Sequence, residues 1–320
     1  LMLDILAITT PIYVLIVLGY VLTRLGLFAK AEMRVFGRFV INLALPALLF
    51  RALSQRQLGE ILNLTYLLGY FVGSLAMIGL GYLWFRRFVG QGPTASAVGA
   101  MGVACSNSGY VGYPILLLTL APVAGVSLAL NMVVENLLVI PLLLFLADRE
   151  RAGADKWRSL ARSLARLARN PLILGMLAGL SVPLLGLTLP APAIRTMDML
   201  AAACSGLALF VVGGTLVGVP LQGFGMRLAP VVLGKLILHP LLVFLAISAL
   251  PMLGFGAIDP TLLMAAVLLA AMPMMGIYPT LAQAYGQEDF SAVALLVTTF
   301  ASFFTLSGVL WVLGQVHRFA

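Results

Sequence analysis

Two side chains stand out for the chemistry they would do where they lie. Glu135 and Lys235 both fall deep inside long apolar stretches of the chain. An acid near the middle of a bilayer costs about 2.5–3.5 kcal/mol on insertion scales, which makes it a functional candidate by default. Burial favours its neutral form, and that suits a proton carrier. Asn131 lies one turn earlier on the same face, and Asn136 is adjacent. Ser106, Asn107, Asn131 and Glu135 would together make an oxygen-rich cation site or a protonation switch. The alternative is a protonated Glu135 bonded to backbone as structural glue. Lys235 either snorkels to headgroups from about 10 Å inside its span or turns inward as a countercharge to Glu135 or to an anionic substrate. His239, one turn further on and followed by Pro240, reads as a packing or hydrogen-bonding residue.

The second pattern is a pair of Tyr-Pro steps, Tyr113-Pro114 and Tyr278-Pro279, set 165 residues apart and each preceded by glycine. Proline deletes a backbone donor and clashes with the carbonyl four residues back, and the residue before it avoids helical angles. Both spans should therefore break, with Pro114 and Pro279 opening the second half-helices. Free N–H groups and positive dipole ends would then converge at midplane, which suits a carboxylate. The candidate substrate residues are Ser106, Asn107, Gly112, Tyr113 and Pro114 in the first break and Met275, Tyr278 and Pro279 in the second; Glu135, Asn131 and Lys235 are the coupling candidates.

The elements that must hold these residues follow from composition. Of 320 residues, 62% are hydrophobic and 9% charged, with a mean hydropathy of +1.10. Such a chain cannot clothe a water-facing surface, so it is a membrane protein rather than a nucleic-acid module, a disulfide scaffold or a disordered chain. Cys105 and Cys204 sit in apolar stretches and read as small hydrophobes. Ten apolar runs reach spanning length, at about 5–22, 35–53, 61–85, 95–120, 123–147, 171–187, 194–219, 228–250, 260–284 and 292–316. The first lacks a basic n-region and a cleavage site and reads as a span, not a signal peptide.

With ten spans the loops alternate sides. The loops after odd-numbered spans hold fourteen Lys and Arg, from Arg24 to Arg227, against four on the other side, Arg51, Arg56, Arg195 and Arg318. The positive-inside rule then puts both termini outside and the basic 148–170 linker in the cytoplasm, against anionic headgroups. The linker separates five spans (1–147) from five (171–320). Because five is odd, the second half enters the membrane inverted, a design common among secondary transporters. The expected fold class is thus an all-α integral membrane protein of ten helices, a 5+5 inverted repeat with spans 4 and 9 broken and crossing. Asn42 and Pro46 in span 2 read as packing residues, Met272, Met274 and Met275 as an adaptable apolar wall or core, and Gly213-Gly214 as a close helix approach.

Several strings carry a resemblance to a known family: Phe39-Val40-Ile41-Asn42-Leu43-Ala44-Leu45-Pro46; Ser106-Asn107-Ser108-Gly109-Tyr110-Val111-Gly112-Tyr113-Pro114; Lys235-Leu236-Ile237-Leu238-His239-Pro240; and Ala270-Ala271-Met272-Pro273 with Tyr278-Pro279. In these the sequence resembles the auxin efflux carrier family, the bacterial relatives of plant PIN carriers, over nearly its whole length. The resemblance implies a fold shared with bile-acid sodium symporters, with a scaffold of spans 1, 2, 6 and 7 and a transport domain of spans 3–5 and 8–10. It also implies elevator-type movement, a homodimer joined through scaffold helices, and substrate contact at Asn107. Span 9 carries no intramembrane acid, which departs from the sodium symporters.

No His-Glu-x-x-His, Gly-x-Ser-x-Gly, intramembrane aspartate pair or phosphate loop is present, which argues against an enzyme, an ATP-driven pump or a bound cofactor or metal. The expectation is a secondary transporter in the cell inner membrane, moving a small mono- or dicarboxylate such as malonate, malate or an auxin-like acid. Protons are the preferred coupling ion through Glu135. Sodium coupling, a uniporter or channel, and a sensor on the same fold are the alternatives. Its partners are the anion, membrane lipids and a second copy of the chain, with no nucleic acid.

Overall fold

The computed structural model describes residues 2–56, 63–148, 169–219 and 228–319, and these form helices, turns and one isolated β-bridge. The linker arginines 149–166 and Arg227 lie outside the described residues. In chain order the helices are α1 (Met2–Arg24), α2 (Lys30–Ser54), α3 (Leu64–Arg87), α4 (Pro93–Ala104), α5 (a turn over Ser108–Gly112 continuing through Tyr113–Thr119), α6 (Ala121–Asp148), α7 (Pro171–Leu184), α8 (Ala191–Thr215), α9 (Ala229–Leu253), α10 (Pro260–Ala270), α11 (Tyr278–Gln283) and α12 (Glu288–Phe319). By length and composition six of them could cross a membrane, namely α2, α3, α6, α8, α9 and α12. The other expected spans appear as the shorter apolar helices α1, α7 and α10, and as the pair α4 and α5.

Helix packing groups the elements. α1 lies along α8, α2 packs on α7 and α8, and α3 packs on both α4 and α9. The α1–α8 contact is made by backbone, because a Cβ on Gly213 would stand 1.8 Å from the Ile16 carbonyl oxygen, and one on Gly19 would stand 2.0 Å from that of Phe210. Gly69 and Gly73 let α3 meet α9 at Ile247 and Val243 in the same way. Outward-facing Phe300, Phe304 and Trp311 on α12 are exposed, an apolar surface suited to lipid.

Among the described residues four helical stretches are wound as π turns: Val40–Ala44, Ser108–Gly112, Val134–Val139 and Gly234–Leu238. Each ends two residues before a proline, respectively Pro46, Pro114, Pro141 and Pro240. The cause is local. A proline cannot donate to the carbonyl four residues back and its ring pushes that carbonyl away. The residue before it therefore bonds five residues back: Leu45 to Val40, Tyr113 to Ser108, Ile140 to Glu135 and His239 to Gly234. These wide turns carry Asn42, the first turn of α5, Glu135 and Lys235, in keeping with the frequency of π-bulges at functional sites.

Candidate functional site

Two breaks meet at the centre of the protein. Between α4 and α5 the chain is extended at Cys105, and between α10 and α11 it runs irregularly through Pro273 and Met274. The two segments pair as a short antiparallel bridge, Ser106 against Met274. The Asn107 N–H donates to the Pro273 carbonyl at 2.9 Å, and the Met275 N–H to that of Cys105 at 3.2 Å. Pro273 suits this position, since it offers a carbonyl and has no N–H to leave unpaired. Gly112 permits the approach, as a Cβ there would lie 2.7 Å from Leu269 and 3.2 Å from Met272.

Around the bridge lies a buried polar network. Glu135 accepts from the Ser106 N–H at 2.9 Å and from the Ser108 hydroxyl at 3.2 Å, and the Asn131 amide donates to that hydroxyl at 2.7 Å. Lys235 is wholly buried, and its ammonium donates to the Ser106 hydroxyl at 2.8 Å, the Ala270 carbonyl at 2.7 Å and His239 Nδ1 at 3.1 Å. All three of its donors are used, so Lys235 turns inward and does not snorkel. Ser106 is held from both sides, by Glu135 on its N–H and Lys235 on its hydroxyl. With both its nitrogens in hydrogen bonds, to Lys235 and to the Ser74 hydroxyl, and its ring edge-on to Tyr70, His239 closes the back of the network.

A cavity of about 400 Å³ opens on the front of this network. Ser106, Asn107, Ser108, Gly109, Tyr110 and Glu135 line it from one side, Met275, Gly276 and Ile277 from the second break. Asn107 is 4% exposed, its Nδ2 has no hydrogen-bond partner among the described residues, and that atom lies near the bare backbone of Gly276. A buried amide donor without an acceptor is costly, and this one borders the cavity. The same residue starts α5, its carbonyl accepting from the N–H groups of Val111 and Gly112. The N–H groups of the next residues, Ser108, Gly109 and Tyr110, belong to a first turn, which has no intrahelical acceptor for them. The arrangement therefore offers donors, fixed in place, to a small acceptor group.

The expected site residues divide. Asn107, Ser106, Met275 and Glu135 border the cavity, with Asn131 and Lys235 directly behind it. Gly112, Tyr113, Pro114, Tyr278 and Pro279 do not. The chain resumes helix at Ser108, one wide turn before Tyr113, so Pro114 is carried into the body of α5. Tyr113 lines a second, smaller cavity of about 260 Å³ at the C-terminal end of α2, beside Arg51, Arg56 and Asp198. Tyr278 is buried against Gly102, where a Cβ would be 2.8 Å from its ring, and Pro279 occupies the first turn of α11. Residues outside the expected site set also border the main cavity: Tyr110, Asn136, and Arg169 with Asn170 at the start of α7. Asn42 lines it too, while donating to the Arg38 carbonyl at 2.7 Å. A proline two residues beyond each wide turn was the available signal for Asn42 and Glu135. Nothing local marks Arg169.

Comparison with known proteins adds the family. The profile of the family described as "Membrane transport protein" matches residues 5–311. A Rhizobium meliloti protein named "Putative malonate transporter" is 34% identical over 98% of this chain and 97% of its own length. "Uncharacterized transporter YfdV" of Escherichia coli is 29% identical over 73% of the chain and 76% of its own length. An "Uncharacterized transporter" of Methanothermobacter thermautotrophicus is 33% identical over 32% of the chain and 34% of its own length.

Proposed function

The chain belongs to the membrane transport protein family, the one its motifs resemble, and from that premise we propose that it is a secondary transporter of a small organic anion bound at the meeting of the two breaks. The observation that carries this reading is the buried amide of Asn107, unpartnered among the described residues, beside the first turn of α5 in one cavity. A carboxylate satisfies such donors, and malonate appears in the name of a relative that matches over nearly the full length.

In this reading the chain is a 5+5 inverted repeat of ten spans. The matching places of the two Tyr-Pro steps support it, since Tyr278-Pro279 opens α11 after the second break and Tyr113-Pro114 follows the wide first turn of α5 after the first. The mutual packing of α1, α2, α7 and α8 supports their role as scaffold, with α3–α6 and α9–α12 as the moving body. Termini outside and linker inside, as the charge count has them, set the larger cavity toward the cytoplasm and the Tyr113 cavity toward the exterior. Elevator movement would exchange access between the two, and a homodimer would form through the scaffold in the inner membrane.

Protons are the coupling ion we favour. Glu135 borders the cavity, and the ammonium of Lys235 already holds the Ser106 hydroxyl and Ala270 carbonyl that a cation would otherwise take. Sodium coupling is the second reading, favoured by one observation: Asn131 Oδ1 and Ser127 Oγ are buried without partners among the described residues.

Thermal unfolding of the purified protein with malonate tests the site. A ligand at 100 times its Kd stabilises by about 2.7 kcal/mol, and Asn107→Ala should abolish that shift. Malonate-driven counterflow in proteoliposomes then separates a carrier from a channel or a sensor. No shift with any carboxylate, or an equal shift in Asn107→Ala, sinks the proposal.

A further inference from the structure

We infer that Arg169 binds a second carboxylate, which narrows the substrate class to short dicarboxylates; this rests on the anion site proposed at Asn107. Two groups of polar donors line the main cavity. One is formed by Asn107 and the first turn of α5, the other by Arg169 and Asn170, and apolar Ile41, Leu45, Met132 and Ile140 line it as well. A molecule with two carboxylates on a short carbon chain offers an acceptor to each of these donor groups and an apolar middle to the rest of the lining.

The charges agree. Of the Asp, Glu, Lys and Arg side chains that line the cavity among the described residues, there are two, Glu135 and Arg169. Glu135 has each oxygen engaged, one by the Ser106 N–H and the other by the Ser108 hydroxyl. No acidic side chain among the described residues pairs with Arg169. The arginines of the second cavity are different: Arg51 is paired with Asp198 at 2.5 Å, and Arg56 donates to the Pro122 carbonyl. Arg169 is exposed at the cavity rim, and the backbone beside it is fixed by its neighbour. The Asn170 side chain caps α7 by accepting from the Leu172 N–H at 2.9 Å, which fixes the chain direction at the cavity edge. A guanidinium suits the task because its planar fork meets a carboxylate through two parallel bonds.

The test compares malonate with propionate, which has one carboxylate fewer on a similar chain, by titrating the purified full-length protein calorimetrically. Arg169→Gln should lower malonate affinity by about tenfold more than it lowers propionate affinity, and Arg169→Lys should recover part of that preference because it restores the charge without the fork. Added salt should weaken malonate binding to the unmodified protein more than to Arg169→Gln. An unchanged malonate-to-propionate ratio in Arg169→Gln overturns the inference. Its failure differs from failure of the anion site, since Asn107→Ala should lose both acids; if Asn107→Ala binds both normally, the site itself is misplaced and the role of Arg169 falls with it.

Discussion

Replacing Lys235 with methionine tests whether the buried network is a paired unit. The ammonium makes three hydrogen bonds at 2.7–3.1 Å, all to buried residues. Methionine fills the space of the stem without the charge. It leaves the Ala270 carbonyl and Ser106 hydroxyl without their donor and Glu135 without the nearby cation. Removing one partner of a buried charged pair costs about 3–5 kcal/mol, mostly because the other is left uncompensated. Glu135→Gln alone should cost less, because an amide oxygen can still accept from the Ser106 N–H. With Lys235→Met and Glu135→Gln combined no uncompensated charge remains, so the double variant should be more stable than the sum of the singles by about 1–3 kcal/mol.

The assay is denaturant unfolding in mixed micelles, followed by tryptophan fluorescence, on the parent, both single variants and the double. The coupling energy is the quantity read, because it cancels effects each substitution has on its own. If Lys235→Met costs under about 0.5 kcal/mol, as an exposed substitution would, the ammonium is not buried among these groups. If the costs add, Lys235 and Glu135 do not sense each other through Ser106, and the network is two unrelated hydrogen-bond clusters.

Gly213→Ala should be strongly destabilising, at or above the 1–3 kcal/mol usual for overpacking. Its methyl would press on the backbone oxygen of Ile16, which has no rotamer to escape into; a melting temperature within a degree of the parent would contradict the backbone contact of α1 with α8. Glu135→Gln should abolish the pH dependence of uptake into proteoliposomes while leaving the protein monodisperse, and an unaltered pH profile would eliminate Glu135 as the proton carrier.

The class of this protein was legible from composition, because a chain with so few charges has no soluble fold open to it. So were the two spans that break, since each carries a Tyr-Pro step; Tyr278-Pro279 opens α11 directly, while the first break lies upstream of Tyr113-Pro114. The isolation of Glu135 and Lys235 in apolar stretches marked them as a possible pair. These are properties of residues and of their neighbours within a turn or two, and a linear sequence carries them directly.

Tertiary structure decided what faces the cavity. Pro114 widens the turn before it, so α5 begins at Ser108 and donors come from Asn107 to Tyr110 rather than from the Tyr-Pro step. Lys235 had two directions open to it, and what turned it inward was Ser106, 129 residues away, brought within reach by the pairing of the two breaks. Arg169 read as one more linker cation until α7 set it against the cavity that α2, α5 and α6 enclose. Side chains so distant in sequence meet only through the close approach of backbones that small residues such as Gly112, Gly69 and Gly73 permit, and that approach is a property of two surfaces fitting, which neither surface encodes alone.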